Sequence, residues 1–436
     1  MDKENRWALA PFMMLTFIYF IVGFITTING QLQGPLQVSF LSQTTDLRNT
    51  LTTLISFSFF LGYLINSSLG GRWVDTLGYK STMLRGLGFM VSGVATYALS
   101  AWLVTNWSGG IFIGDNFVPV GYLLFLLGSF QTGTSAAILQ VVVNPYIASY
   151  QLRGTNAVQR MNINGAINSL GTTIAPLFVT GVMFAGVHFA SVTSEQLITP
   201  LIVIAAAIAV VTLVTSRLSL PDIASTRNQG GSKAERSIWS FRHLRLGVVA
   251  IFFYVGAEVA IGVNVNLHAM EMIEQGEKLT LFGHEGFILA GLDLGIPALL
   301  ASLYWGGLMV GRLIFSLFNN ISPKILLASV AVGAIILTLA AIASNNLWVL
   351  ISVGLCHSVM WGATFTLAVE GLGEYTSKAS GVFMMGVFGG AIFSLLQGGL
   401  ADILGGWRWS WFMVVICEGV LLYYALWGSK IVENGD

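Results

Sequence analysis

Six carboxamide side chains, set in three pairs four residues apart, are the groups best placed to do chemistry: Asn29 and Gln33, Gln140 and Asn144, Asn164 and Asn168. Four residues is about one helical turn, so within a helix each pair shares a face. A carboxamide donates and accepts hydrogen bonds while carrying no charge. Three such faces suit an uncharged, polyhydroxylated ligand better than an ion or a lipophilic drug. The competing expectation is that the amides bond one another and hold the helices together. Titratable groups inside apolar runs are few. Glu258, in "FYVGAEVAIG", has Tyr254 one turn away, and "CHSVMWGATF" spaces His357, Trp361 and Thr364 along one face. Glu258 is expected to bind a coupling proton, or help hold a sodium ion, and to touch a substrate hydroxyl; its alternative is a structural carboxylate paired with a neighbouring helix. His357 is the expected proton partner of Glu258, or else a satisfied interhelical donor. Trp361 can stack on the apolar face of a pyranose, with Trp305 as a second aromatic candidate.

The elements that position these residues must be membrane helices. Hydrophobic residues make up 55% of the 436 positions and charged residues 9%, with a mean hydropathy of +0.77. Such values lie far outside the range of soluble domains. The apolar runs are continuous rather than alternating, and about 20 residues long, which specifies helices and not barrel strands. Twelve spans are predicted, at 7–40, 51–70, 84–104, 120–146, 163–186 and 197–216, then 246–267, 296–318, 323–343, 347–369, 379–400 and 409–428. No cleavable leader is expected, because the charged segment Met1–Arg6 opens directly into the apolar run Trp7–Ile28. Cys356 and Cys417 both lie in apolar runs, so no disulfide framework is indicated. The formal net charge of zero argues against nucleic acid as a partner. Neither HExxH, nor GxSxG, nor a Cys/His cluster occurs, so neither an enzyme nor a metal site is expected.

With a cytoplasmic N-terminus, all but Arg48, Lys278 and Arg408 of the 20 Lys and Arg residues fall on the inner side. Both termini are then cytoplasmic. The polar stretch 217–245, with six basic residues, reads as a cytoplasmic linker between bundles 1–216 and 246–436. Two six-helix halves that alternate access to a central site are expected. Gly307 and Gly311, like Gly386 and Gly390, stand four apart for close helix approach, serving either sliding or static packing. In "GFITTINGQLQGPLQ", Gly23–Gln37, the first helix is expected to run past Asn29 towards Phe40 and to line a watery cavity, kinked at Pro35. An external loop beginning near Ile28 is the alternative.

The segment "GRWVDTLGYK", Gly71–Lys80, resembles the signature loop of the major facilitator superfamily, with Thr76 where a basic residue is usual. "GFITTIN" at Gly23, "LQVVVNPY" at Leu139, "RMNINGAINSLGTTIAP" at Arg160, "YVGAEVAIG" at Tyr254, "SLYWGGLMVGR" at Ser302 and "GGAIFSLLQGGLAD" at Gly389 narrow the resemblance to its fucose:proton symporter family. The resemblance implies an all-α membrane protein with the major facilitator fold: twelve helices in two pseudo-symmetric bundles. It also implies sugar import coupled to a cation gradient. Asp75 would then latch a helix end and, with Arg312 of the second-half counterpart, take part in conformational gating. Glu418, on a last helix that is peripheral in this superfamily, is expected to serve packing.

Two departures bear on coupling. The resembled family has an aspartate just after the first-helix asparagine, where Gly30 and Gln31 stand here. Fucose permeases have a glutamate at the position of Gln140, which resembles the glucose and galactose relatives instead. The expectation is a monomeric importer of a hexose or 6-deoxyhexose in the bacterial cytoplasmic membrane, with the lipid bilayer around it, H+ or Na+ as coupling ion and no other cofactor. A sugar uniporter, a drug exporter of the same superfamily and a non-transporting sugar sensor are the alternatives.

Overall fold

The computed structural model describes residues 3–44, 46–150, 152, 157–184, 191–220, 237–289, 292–315, 321–372, 375, 379 and 382–431. Most of the stretch 217–245 lies outside these, as does the side chain of Asp75.

The opening helix shows how sequence sets local form. Helix α1 spans Lys3–Gln31 and α2 spans Gln33–Ser39, with only Leu32 between them, itself helical at φ −70° and ψ −11°. Pro35 accounts for the interruption: it has no N–H to give the carbonyl four residues back, that of Gln31, and its ring crowds that oxygen. The ladder resumes around it, with Leu32 N donating to Ile28 O and Leu36 N to Leu32 O, both at 2.9 Å. The chain therefore stays helical to Ser39, and Gln33, Gly34, Pro35, Leu36 and Gln37 are all buried.

Helix α3, Arg48–Asn106, carries the second and third spans, and its only non-helical residue is Gly78 at φ 78°, ψ 170°. That left-handed backbone suits glycine, which has no Cβ to clash. A short antiparallel hairpin follows, β1 Gly110–Ile113 with β2 Asn116–Pro119. Then come α4, Val120–Ser149, and α5, Ala157–Phe178, which widens over Val179–Met183 just after Pro176. Helix α6, Ser194–Arg217, starts with Thr193 N donating to Gln196 Oε1 at 3.1 Å, one half of a capping box. A second hairpin pairs β3, Gly286–Leu289, with β4, Leu292–Gly295.

The later helices are α7, Arg242–Glu274; α8, Ile296–Phe315; and α9, Pro323–Ser344. Next are α10, Leu347–Ile351, and α11, Val353–Val369, which together make the tenth span. A tight turn over Met384–Phe388 opens α12, Gly389–Leu404, and the chain closes with α13, Trp407–Ser410, and α14, Phe412–Tyr423. The described residues hold eleven helical stretches long and apolar enough to cross a membrane, to which the 20-residue α8 adds another helix. The fold is thus the expected all-helical membrane architecture; the two hairpins between helices are additions that the apolar runs did not announce.

Contacts divide the chain into two compact units, Met1–Gln229 with Thr280–Ala298, and Gly230–Leu279 with Leu299–Asp436. Glycines set the helix packing inside each, and they do so twice over. In the first unit, a Cβ on Gly133 of α4 would strike the Phe59 carbonyl of α3, and one on Gly171 of α5 the Phe20 carbonyl of α1. In the second, Gly354 of α11 faces the Tyr304 carbonyl of α8, and Gly389 of α12 the Phe252 carbonyl of α7. Spans two and four, and one and five, are so matched by spans eight and ten, and seven and eleven. Gly307 and Gly311 belong to the same α8–α11 seam, against Gly354, Leu355 and Ser358.

Candidate functional site

Within the first unit the six amides divide by what they bond. Asn29, on α1, gives its Nδ2 to Tyr97 Oη at 2.6 Å and Ser129 Oγ at 2.7 Å. Tyr97 in turn lies 2.9 Å from Thr132 Oγ1 and stacks on Phe125 at 4.1 Å, so Asn29 closes a buried network joining α1, α3 and α4. Asn168 Nδ2, on α5, donates to the backbone oxygen of Tyr19 at 2.8 Å, and its side chain rests on Gly23 of α1. Gln140 Nε2 donates to Tyr63 Oη at 3.0 Å, and Gln33 Nε2 to Ser56 Oγ at 2.7 Å. Gln37, one turn beyond Gln33, donates to Asn49 Oδ1 at 2.9 Å.

Other amide atoms are buried with nothing to bond. Gln33 Oε1, Asn144 Oδ1, and both Oδ1 and Nδ2 of Asn164 have no partner among the described residues. Asn164 is fully buried. A buried polar atom left unsatisfied costs about 1–3 kcal/mol, so natural folds rarely keep several without a use. Hydroxyl groups are the chemistry that would satisfy them, since one hydroxyl can donate to the carbonyl end and accept from the amide end.

Within the second unit a chain of polar contacts crosses four helices. His357 on α11 places Nε2 2.7 Å from Glu418 Oε1 on α14, both side chains fully buried. Its Nδ1 lies 2.6 Å from Tyr304 Oη on α8, and that hydroxyl also donates to the backbone oxygen of Glu258 on α7 at 3.1 Å. Tyr254 Oη, on α7, donates to the His357 carbonyl at 2.9 Å. Glu258 and His357 thus belong to one cluster, with Arg312 near enough to act on Glu258 electrostatically. The residue hydrogen-bonded to the imidazole, however, is Glu418, the one expected merely to pack.

Trp361 is half-buried, with Tyr254 at 6.5 Å and Phe383 edge-on at 5.9 Å. Trp305 lies over Gly262, where a Cβ would meet its ring, and neither its buried Nε1 nor Thr364 Oγ1 has a partner among the described residues. Arg312 is exposed and donates through Nε to the Ser358 oxygen at 3.3 Å. Asp75 falls outside the described side chains.

A fourth amide pair went unread in the sequence. Asn264 Nδ2 on α7 donates to Gln397 Oε1 on α12 at 2.9 Å, and Gln397 Nε2 reaches Ser410 Oγ at 3.3 Å. All three are buried, and Asn264 Oδ1 has no partner among the described residues. The signal was available, because both are intramembrane amides like those of the first half. They stand on different helices, though, and no spacing of four marks them.

Comparison with known proteins follows the same lines. A model of the Major Facilitator Superfamily matches residues 17–393. The chain is 33% identical over 435 residues to a glucose/galactose transporter of Brucella abortus, covering 98% of this chain and 96% of that one. It is 25% identical over 461 residues to the L-fucose-proton symporter of Escherichia coli, covering 99% and 96%. The crystal structure of the Escherichia coli fucose:proton symporter superposes with a TM-score of 0.63 at 21% identity, covering 97% of this chain and 99% of that chain.

Proposed function

This chain belongs to the Major Facilitator Superfamily, a family of transporters and not enzymes, and on that premise we propose that it imports a hexose or 6-deoxyhexose sugar. The observation that carries the proposal is the set of buried amide atoms on Gln33, Asn144 and Asn164 that have no partner among the described residues. A sugar hydroxyl would satisfy each, whereas a lipophilic drug would leave all of them unmet. Full-length similarity to a glucose/galactose transporter supports the same substrate class. In this proposal Asn29, Gln140 and Asn168 shape the sugar-binding face of the first unit by fixing α1, α4 and α5, and Glu258 and Trp361 are the candidate carboxylate and stacking face of the second unit.

Import is coupled to H+ or Na+, the chain works as a monomer in the bacterial cytoplasmic membrane, and both termini are cytoplasmic. Bundles 1–216 and 246–436 move as bodies about the linker 217–245, with Asp75 and Arg312 as gating residues. The test is uptake of labelled D-glucose, D-galactose and L-fucose into proteoliposomes under a proton gradient, a sodium gradient, or neither. Uphill uptake of one sugar under one gradient is the expected result. Equilibration alone would mean a uniporter, and absence of uptake with binding of lipophilic cations would mean an exporter. Sugar binding without any flux would mean a sensor.

A further inference from the structure

We propose that the buried pair His357–Glu418, read out by the Tyr304 hydroxyl, is the site that takes up and releases the coupling proton. The inference rests on the sugar-import reading above and names its cation and the cation's carrier.

Hydrogen counting supports the proposal. Tyr304 has one hydroxyl proton, yet its oxygen lies 2.6 Å from His357 Nδ1 and 3.1 Å from the Glu258 backbone oxygen. With a neutral imidazole, Nε2–H donates to the Glu418 carboxylate and bare Nδ1 needs the tyrosine proton, which leaves the Glu258 carbonyl without it. The pair then carries one net negative charge. When one proton adds to Nδ1, Nδ1–H donates to the tyrosine oxygen and the hydroxyl turns to the Glu258 carbonyl. Every contact now has one donor and one acceptor, and imidazolium and carboxylate cancel. A single proton therefore both neutralises the pair and moves a hydrogen bond onto α7, the helix that bears Glu258.

Burial makes the two forms differ in energy. Both side chains are fully buried inside a membrane span, where an uncompensated charge is strongly disfavoured and a neutral pair is tolerated. Glu418 Oε2 has no hydrogen-bond partner among the described residues, so that oxygen adds no hydrogen bond to the negative form. The groups around the pair are few. Helix α7 brings Tyr254 and Glu258, α8 brings Tyr304 and Arg312, α11 itself has Cys356, and α14 has Cys417. Helix α9, which packs on both α11 and α14, contributes no acid or histidine, its sole charged residue being Lys324 near its start. Arg312 acts on Glu258 electrostatically across the same cluster. Tyr254, which donates to the His357 backbone oxygen at 2.9 Å, holds α11 against α7.

The experiment uses the full chain in proteoliposomes with labelled D-glucose, D-galactose and L-fucose. Two assays are run side by side: accumulation under an inward proton or sodium gradient, and counterflow against trapped unlabelled sugar with no gradient. The wild type is expected to accumulate sugar under the proton gradient and to take up protons when sugar is added to a weakly buffered suspension. Glu418→Gln is expected to reach only equal internal and external concentrations, with sugar-induced proton uptake abolished and counterflow persisting. Tyr304→Phe is expected to lower accumulation while counterflow persists, and to shift the pH midpoint of counterflow, an effect that mere packing would not give. Undiminished proton uptake in Glu418→Gln would overturn the assignment, as would an unshifted midpoint in Tyr304→Phe should Glu418→Gln fail to assemble. Accumulation driven by sodium alone, or wild-type counterflow without accumulation, would also overturn it while leaving sugar transport intact. Absence of wild-type counterflow with all three sugars would instead refute the sugar reading itself.

Discussion

Asn29 and Asn164 are the same side chain in opposite circumstances. Asn29 spends its amide nitrogen on Tyr97 and Ser129, whereas Asn164 is buried with neither amide atom partnered among the described residues. Interhelical hydrogen bonds in a membrane are worth about 0.6 kcal/mol each on average. Asn29→Ala should therefore lower stability by about 1 kcal/mol. Asn164→Ala removes no bond and relieves a desolvation cost, so melting temperature should hold or rise while sugar uptake falls by about tenfold, the worth of one lost ligand hydrogen bond. Thermal unfolding of the purified protein, paired with uptake, checks both; a destabilised Asn164→Ala with proportionate loss of uptake would return that residue to a structural role. At this scale the sequence was informative wherever spacing could speak. The three amide pairs were visible because four residues is one turn. The His357–Glu418 contact was not, since its partners are 61 residues apart on helices whose mutual packing no local pattern records.

Among the helices, the carbonyl oxygen is the surface against which glycines pack. Gly133 abuts the Phe59 carbonyl and Gly389 the Phe252 carbonyl, so an added methyl meets backbone that cannot rotate away. Overpacking of this kind costs about 1–3 kcal/mol and often more where backbone must shift. Gly133→Ala and Gly389→Ala should each destabilise their unit and reduce the yield of folded protein. Gly88→Ala, which meets nothing within 4 Å, should be neutral or slightly stabilising. Size-exclusion profiles and melting curves of the three variants make the comparison, and equal behaviour would show that the seams are loose. Glycine pairs four apart made Gly307 and Gly311 conspicuous in the sequence. Gly133 and Gly171 were not, because each works alone against a carbonyl on another helix. Pro35 was legible as a kink in a helix that runs on: its missing N–H interrupts the ladder after Gln31, and the helix resumes at Gln33.

Over the whole molecule, the internal repeat extends beyond glycines to the peripheral helices, with a reversal. Lys80, near the start of the third span, donates through Nζ to the Ser216 and Leu218 oxygens at 2.8 Å each, holding the end of α6. Arg408, at the start of the twelfth span, donates to the Ile342 and Ala343 oxygens at 2.9 Å each, holding the end of α9. A cation at a helix C-terminus offsets the negative end of its dipole, typically by 0.3–1 kcal/mol. Third-with-sixth and ninth-with-twelfth helices are thus each fastened at one end, but at opposite ends of the repeat. Lys80→Met and Arg408→Met should each lower stability by about 0.5 kcal/mol and loosen only their own unit, which hydrogen exchange of α6 and α9 would resolve. Exchange spread evenly over both units would argue against separate fastening. The two-bundle plan was readable from twelve apolar runs and a polar middle. The hairpins were not, because each strand is four residues long and the first is exposed throughout.

Trp361 has a further use that its geometry supplies. Its indole is half-buried, with the Tyr254 and Phe383 rings 6.5 and 5.9 Å away and both steeply inclined to it, so part of the indole stays open to its surroundings. Indole emission shifts in colour with the polarity of its surroundings. In a chain whose other tryptophans are replaced by phenylalanine, titration with sugar would be visible as a change in the fluorescence of this one residue. The transporter would report its own occupancy by light.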